Sequence, residues 1–185
     1  APNDPLTTYL QMLVNRQRQR WTLRDPFKAT VAEATADSEL RGIYSERFLR
    51  AHLARQIAAL EARAEVLSLA CLRIGNAGEV HDAHGQEARH VLMQQMADWL
   101  GGMTRIEDCV ARFGADGFAI TMPATPAEEA DAVLQRIAGV LHQSDFHLTE
   151  EVMEAAHVWP HVAVGAAEPG EDADGFLARL AAACG

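Results

Sequence analysis

Apolar residues recur along the chain with two different periods. Between residues 46 and 64, Phe48, Leu49, Leu53, Ile57 and Leu60 share one stripe with charges elsewhere, which predicts an amphipathic helix. Leu67 to Ile74 is a mostly apolar run of strand length, closed by Gly75. Residues 86–100 return to helical spacing through Val91, Leu92, Met96, Trp99 and Leu100. Cys109 to Phe113 and Phe118 to Met122 read as two short strands. Between them lies Gly114-Ala115-Asp116-Gly117, whose Gly and Asp tolerate the positive φ of a tight turn. Thr125-Pro126-Ala127-Glu128 is a helix start, with a hydroxyl cap, Pro in the first turn and Glu at the capping-box position, and the helix it opens is expected to reach about residue 142. A further strand is expected around residues 157–167 and a short last helix from Asp172 to Ala183. This order predicts an α+β fold with a central, mainly antiparallel sheet flanked by helices.

The first 37 residues read differently. Leu6, Leu10, Leu13, Val14 and Trp21 have helical spacing with a basic, polar continuation, and Asp25-Pro26 then interrupts them. Residues 1–37 are therefore expected to be a connector helix and linker, with the compact domain at 38–185; an N-terminal helix packed on its own domain is the alternative. Charge sharpens the division. The chain has 16 Lys+Arg against 26 Asp+Glu, a net −10, and the excess of acid grows toward the C-terminal end. Such a surface disfavours binding to nucleic-acid polymers and to anionic membranes, so an anionic ligand must be caught by a few local arginines. Cys71, Cys109 and Cys184 are odd in number and widely spaced, as expected of reduced thiols in the cytoplasm. No apolar run is long enough for a membrane span.

The segment from Arg105 to Phe118, RIEDCVARFGADGF, resembles the signature stretch of GGDEF domains, the diguanylate cyclase family. There an RxxD pair precedes, by a fixed interval, a hairpin whose tip reads GG(D/E)EF. Leu40-Arg41-Gly42-Ile43-Tyr44 is similar to the LTGLY-type opening of those domains, and residues 67–100 match their strand–loop–helix. The resemblance spans residues 38 to about 180 and implies the nucleotidyl-cyclase palm. It also implies a reaction, the condensation of two GTP molecules on carboxylate-bound metal, and the residues for it are largely missing. The first metal-binding Asp falls on Arg73 and the next acidic position on Gly75. The guanine-reading Asn and Asp fall on His81 and His90. Asp116 keeps a metal position of the hairpin, but the Glu after it is Gly117. The final stretch, Cys184-Gly185, stops short of the Lys/Arg-bearing final helix that family members use for phosphates. The expectation is a chain with no catalytic residues, no metal and no cofactor.

The RxxD pair is the family's product-binding, inhibitory site, and its ligand is cyclic di-GMP. A guanidinium donates to guanine O6 and N7, and a carboxylate accepts from N1–H and the exocyclic amine. Arg105 and Asp108 supply these groups. At the interval of the family's second arginine stands Arg136, and a third falls on Ala59, with Arg55 and Arg63 a turn to either side. With 15 Arg and 11 Asp in 185 residues, about one RxxD match arises by chance, so the weight lies in its register to the hairpin and to Arg136. The bland alternative is a surface ion pair.

Other groups carry less. His81, His84 and His90 could suggest zinc but fit a vestigial guanine pocket better; His157 and His161 flank Trp159-Pro160, which spoils helical metal pairing; Cys109 reads as a core thiol. The acidic stretches 145–154 and 168–174 read as solvated surface, or as a docking face for a partner. The expected function is a non-catalytic cyclic di-GMP receptor that recruits protein partners, with a weakly active cyclase or GTP-binding regulator as the alternative. The combination is similar to PopA-type response regulators, which implies an upstream receiver domain, recruitment at a cell pole and a role in cell-cycle-regulated proteolysis. A dimer bridged by ligand or by the leading helix is left open.

Overall fold

The structure, a computed structural model, describes residues 40–63, 65–148 and 155–185. The connector expected over residues 1–37, and the 149–154 part of the acidic tail, lie outside the described residues. Eight elements follow one another: α1 (Glu46–Arg63), β1 (Leu67–Ile74), α2 (Ala77–Met103), β2 (Cys109–Phe113), β3 (Gly117–Pro123), α3 (Ala127–Gln143), β4 (Pro160–Ala166) and α4 (Ala173–Cys184). The four strands form one sheet in the order β2-β3-β1-β4, and every neighbouring pair is antiparallel. This is the α+β architecture expected from the sequence.

The mostly apolar run of β1 has its reason in the sheet's two covered faces. On one face Ala70, Leu72, Ile74, Phe118 and Ile120 meet Leu92, Met93 and Met96 of α2 and Leu134, Ile137 and Leu141 of α3. On the other, Leu67, Leu69, Cys71, Cys109 and Ala119 meet Leu49 and Leu53 of α1 and Phe176, Leu177 and Leu180 of α4. A strand buried on both sides loses the alternation of polar and apolar residues that a one-faced strand shows. All three cysteines are free and buried. Among the described residues no helix is long and apolar enough to cross a membrane.

Three local features differ from expectation. The helix expected at 86–100 is a longer element, α2, broken at Gly85 by φ 87°, ψ 177°. Its first segment, Ala77 to His84, offers only Ala77, Val80 and Ala83 as apolar positions among charged and polar residues, too few to display a helical period in the sequence. The cap before α3 is not the Thr125 hydroxyl, which donates to the Pro123 carbonyl at 3.0 Å; Pro126 occupies the N-cap position without a side-chain bond. The last strand begins at Pro160 rather than 157, on the edge of the sheet, where a residue without N–H is tolerated. Asp172 does cap α4, accepting from the Gly175 N–H at 2.7 Å.

The LRGIY opening closes the other edge. Gly42 turns the chain at φ 82°, Leu40, Ile43 and Tyr44 are buried, and Tyr44 exchanges backbone bonds with Val110 and Arg112 beside β2. Strand β2 of the hairpin is thereby fixed to the body of the fold.

Candidate functional site

Two places in this fold carry candidate chemistry: the hairpin tip beside the end of β1, and the turn between α2 and β2.

The hairpin turns on Gly114, Ala115 and Asp116, with Gly114 at φ 64°. Gly117 is already in β3, paired with Phe113 of β2 and with Arg73 of β1. It is glycine because of close approach: a Cβ there would lie 2.8 Å from the Phe113 carbonyl oxygen and 3.1 Å from that of Leu72. Asp116 is held by a group that no sequence motif singles out. Arg89 of α2 donates from Nε to Asp116 Oδ1 at 2.9 Å, donates from Nη2 to the same oxygen, and reaches the Ala115 carbonyl at 2.9 Å. The one acid left at the expected metal position is thus already paired with a cation.

Gly75 is crowded too. A side chain beginning there would meet His161 Nε2 at 2.5 Å and the Trp159 carbonyl at 3.2 Å. The 157–161 segment is clamped over this corner by Asn76, which donates to the His157 carbonyl at 2.7 Å and accepts from the Trp159 N–H at 3.0 Å. An imidazole therefore lies where a second carboxylate would project. Arg73 lies in register between Gly117 and His161. A divalent cation needs several hard oxygen ligands. A guanidinium on Asp116, an arginine at 73 and an imidazole over Gly75 do not fit it. Among the described residues no three His, Cys, Asp or Glu side chains converge as a metal-binding group. His81 pairs instead with Asp82, at 3.2 Å, and His157 with Asp145, at 3.4 Å. Reinstating the missing acid as Gly117→Glu is expected to cost about 1–3 kcal/mol by overpacking. It should be read as a lowered urea midpoint, with no GTP turnover gained.

The second place is built by a reciprocal turn. The Asp108 N–H donates to the Arg105 carbonyl at 3.2 Å, and Asp108 Oδ2 accepts from the Arg105 N–H at 2.7 Å. Asp108 is only 1 % exposed, so its carboxylate sits beneath the turn and fixes it. Arg105 is the exposed member of the pair. Its Nη2 donates to Glu129 Oε1 at 2.6 Å, across to the first turn of α3. The hydrogen bond and charge of Glu129 push the guanidinium's pKa further up, so it stays cationic at any pH of interest. Arg136 is exposed on α3, seven residues after Glu129. Seven residues are nearly two full turns, which puts Glu129 and Arg136 on one helix face about 10 Å apart along the axis. The turn and α3 thus bring Arg105, Glu129 and Arg136 to one side of the domain. In the sequence Glu129 looks like an ordinary acid in a helix's first turn, favourable to the helix dipole, and nothing local marks it as a partner of Arg105. Of the residues considered for a third arginine, Ala59 lies in α1 and is half-buried, and Arg55 is exposed. Cys109 is fully buried in the core.

Comparison with known proteins adds to this geometry. The family model described as diguanylate cyclase, GGDEF domain, matches residues 35–183. A curated relative, diguanylate cyclase DgcP of Pseudomonas aeruginosa, is 28% identical over 112 residues; the match covers 60% of this chain but 17% of DgcP. Among solved structures, diguanylate cyclase SiaD of Pseudomonas aeruginosa, in complex with its activator SiaC, superposes with a TM-score of 0.77 at 22% identity. It covers 97% of this chain and 68% of the SiaD chain. The GGDEF domain of DgcB from Caulobacter crescentus, in complex with c-di-GMP, gives a TM-score of 0.72 at 19% identity, over 77% of this chain and 84% of that one.

Proposed function

Since the chain belongs to the GGDEF diguanylate cyclase family, we propose that it is a member that binds cyclic di-GMP without making it. The observation that carries the non-catalytic half is the Arg89–Asp116 pair. A protein cation takes the place of the metal ion, and His161 fills the space over Gly75. The binding half is supported by the placement of Arg105 and Arg136 on one side of the domain. In this reading Arg105 leaves Glu129 to donate to the Hoogsteen edge of a guanine, Glu129 becomes an acceptor for N1–H and the amine, and Arg136 meets a phosphate or the second base. Asp108 holds the turn that aims Arg105.

The liganded domain then recruits a protein partner through a surface changed by the dinucleotide. A role like that of PopA-type response regulators, at a cell pole in regulated proteolysis, is the specific form of this proposal, with residues 1–37 as the link from a receiver domain. Calorimetric titration with cyclic di-GMP, run beside a GTP–Mg²⁺ turnover assay, tests both halves. Saturable binding with no product above background is expected. Turnover above background would install the alternative, a weakly active cyclase, and absent binding would remove the receptor.

A further inference from the structure

Strand β4 ends the sheet, and its outer edge is unprotected. From Trp159 to Ala167 the chain carries no Lys, Arg, Asp or Glu, although edge strands are commonly guarded by charge, a bulge or a covering segment. Two bonds to β1 fix the direction of every backbone group in the strand. The Gly75 N–H donates to the Trp159 carbonyl at 2.8 Å, and the Ala167 N–H donates to the Leu67 carbonyl at 2.9 Å. In an antiparallel ladder the N–H and C=O of one residue point the same way, and the direction alternates along the strand. The odd-numbered residues of β4 therefore bond β1, while Pro160, Val162, Val164 and Ala166 turn their groups outward. Arg179 agrees with this parity, since its Nη2 donates to the Ala166 carbonyl at 2.9 Å. Pro160 has no N–H to give. The edge thus offers donors from Val162, Val164 and Ala166 and acceptors from Pro160, Val162 and Val164. Among the described residues nothing bonds them.

These groups complement themselves. When a second copy lies antiparallel with Ala163 opposite Ala163, Val162 faces Val164 and Pro160 faces Ala166. Val162 and Val164 then exchange both bonds with their opposites, and the Ala166 N–H finds the Pro160 carbonyl. The donor that proline lacks falls against the carbonyl that Arg179 has already taken, so no group on the edge is left over. Side chains fit the same register. Val162 meets Val164 on the face of α2 and α3, small Ala163 stands at the centre of the other face, and His161 meets Gly165. Trp159, which is 53% exposed, comes opposite Ala167. We propose that β4 is a self-association edge, pairing antiparallel about Ala163 with β4 of a second copy and joining the two sheets into one. The Arg105 turn leads into β2 at the far side of the sheet, so the pairing stands whether or not a dinucleotide binds there.

A strand pairing of 7 residues is a small interface, for which a dissociation constant on the order of 100 μM is expected. Amide hydrogen exchange of the 185-residue chain, followed by NMR from about tenfold below to about tenfold above that concentration, is the test. The Val162, Val164 and Ala166 amides should exchange about fourfold more slowly at the top of the range, while Ala163 and Gly165, already bonded to β1, stay as they are. A cross-link fixes the register. Ala163→Cys adds one atom at a half-buried position and sets two thiols opposite each other with Cα atoms about 4.5 Å apart, within disulfide range. Oxidised glutathione, itself reduced as the bond forms, should link this variant as a dimer. The parent, whose cysteines are buried, and Ala51→Cys, exposed on α1, should stay monomeric. The exchange measurement needs no variant, so the test is decided even if Ala163→Cys does not fold. Edge amides whose exchange ignores concentration, which would leave the edge to a strand of another protein, overturn the proposal. Association that protects other residues instead, or equal cross-linking at positions 51 and 163, overturns it as well.

Discussion

Arg105→Ala is expected to weaken cyclic di-GMP binding by about 10- to 100-fold while leaving the thermal midpoint where it is. The magnitude follows from the bond lost, a two-point, charge-assisted contact to a guanine edge, worth about 1–3 kcal/mol of binding. The unchanged stability follows from the geometry. The Arg105 side chain is 54 % exposed, its partner Glu129 is 49 % exposed, and exposed ion pairs contribute little to folding. Asp108 offers the contrast. Its buried carboxylate accepts from the Arg105 N–H, so removing it disturbs the turn itself, and binding and stability fall together. Calorimetry and a thermal melt on each variant separate a residue that touches the ligand from one that aims it.

Phe118→Ala carries the largest expected effect on folding, about 3–5 kcal/mol, which at this chain length lowers the thermal midpoint by roughly 6–20 °C. Phe118 is fully buried at the base of the hairpin, paired with Leu72 of β1 and Arg112 of β2, and the Arg112 guanidinium packs over its ring at 5.8 Å. Deleting the ring opens a cavity at the junction of three strands, which cannot collapse without shifting the hairpin. Against a typical total of about 5–15 kcal/mol, the loss is a large fraction of the domain's stability. Phe118→Leu keeps most of the volume and should recover most of the midpoint. A melt in which both variants match the parent would mean that the hairpin is not anchored through this ring.

Much of this architecture is written in short-range pattern. The strand runs at 67–74, 109–113 and 118–122 and the stripe of α1 fall where burial on the sheet's two faces requires them. The RxxD register is equally visible, because the interval from Arg105 to Gly114 and on to Arg136 is a matter of counting. The start of α2 is not visible, since Ala77, Val80 and Ala83 are too few apolar positions to display a helical period. The site's decisive partners are hidden for another reason. Arg89 meets Asp116 across 27 residues, Arg105 meets Glu129 across 24, and His161 comes over Gly75 only because β4 pairs with β1. Such pairings belong to topology, and no local spacing announces them. They also change the meaning of Asp116, which alone in the sequence looks like a surviving metal ligand and in the fold is one half of an ion pair.

A crystal structure of the chain grown with cyclic di-GMP, GTP and Mg²⁺ together tests most directly whether the domain receives the dinucleotide without making it. Dinucleotide density is expected against Arg105, Glu129 and Arg136, with Arg89 still on Asp116 and neither metal nor triphosphate at the hairpin. A metal ion on Asp116 with GTP beside it and Arg89 displaced would contradict a non-catalytic receptor.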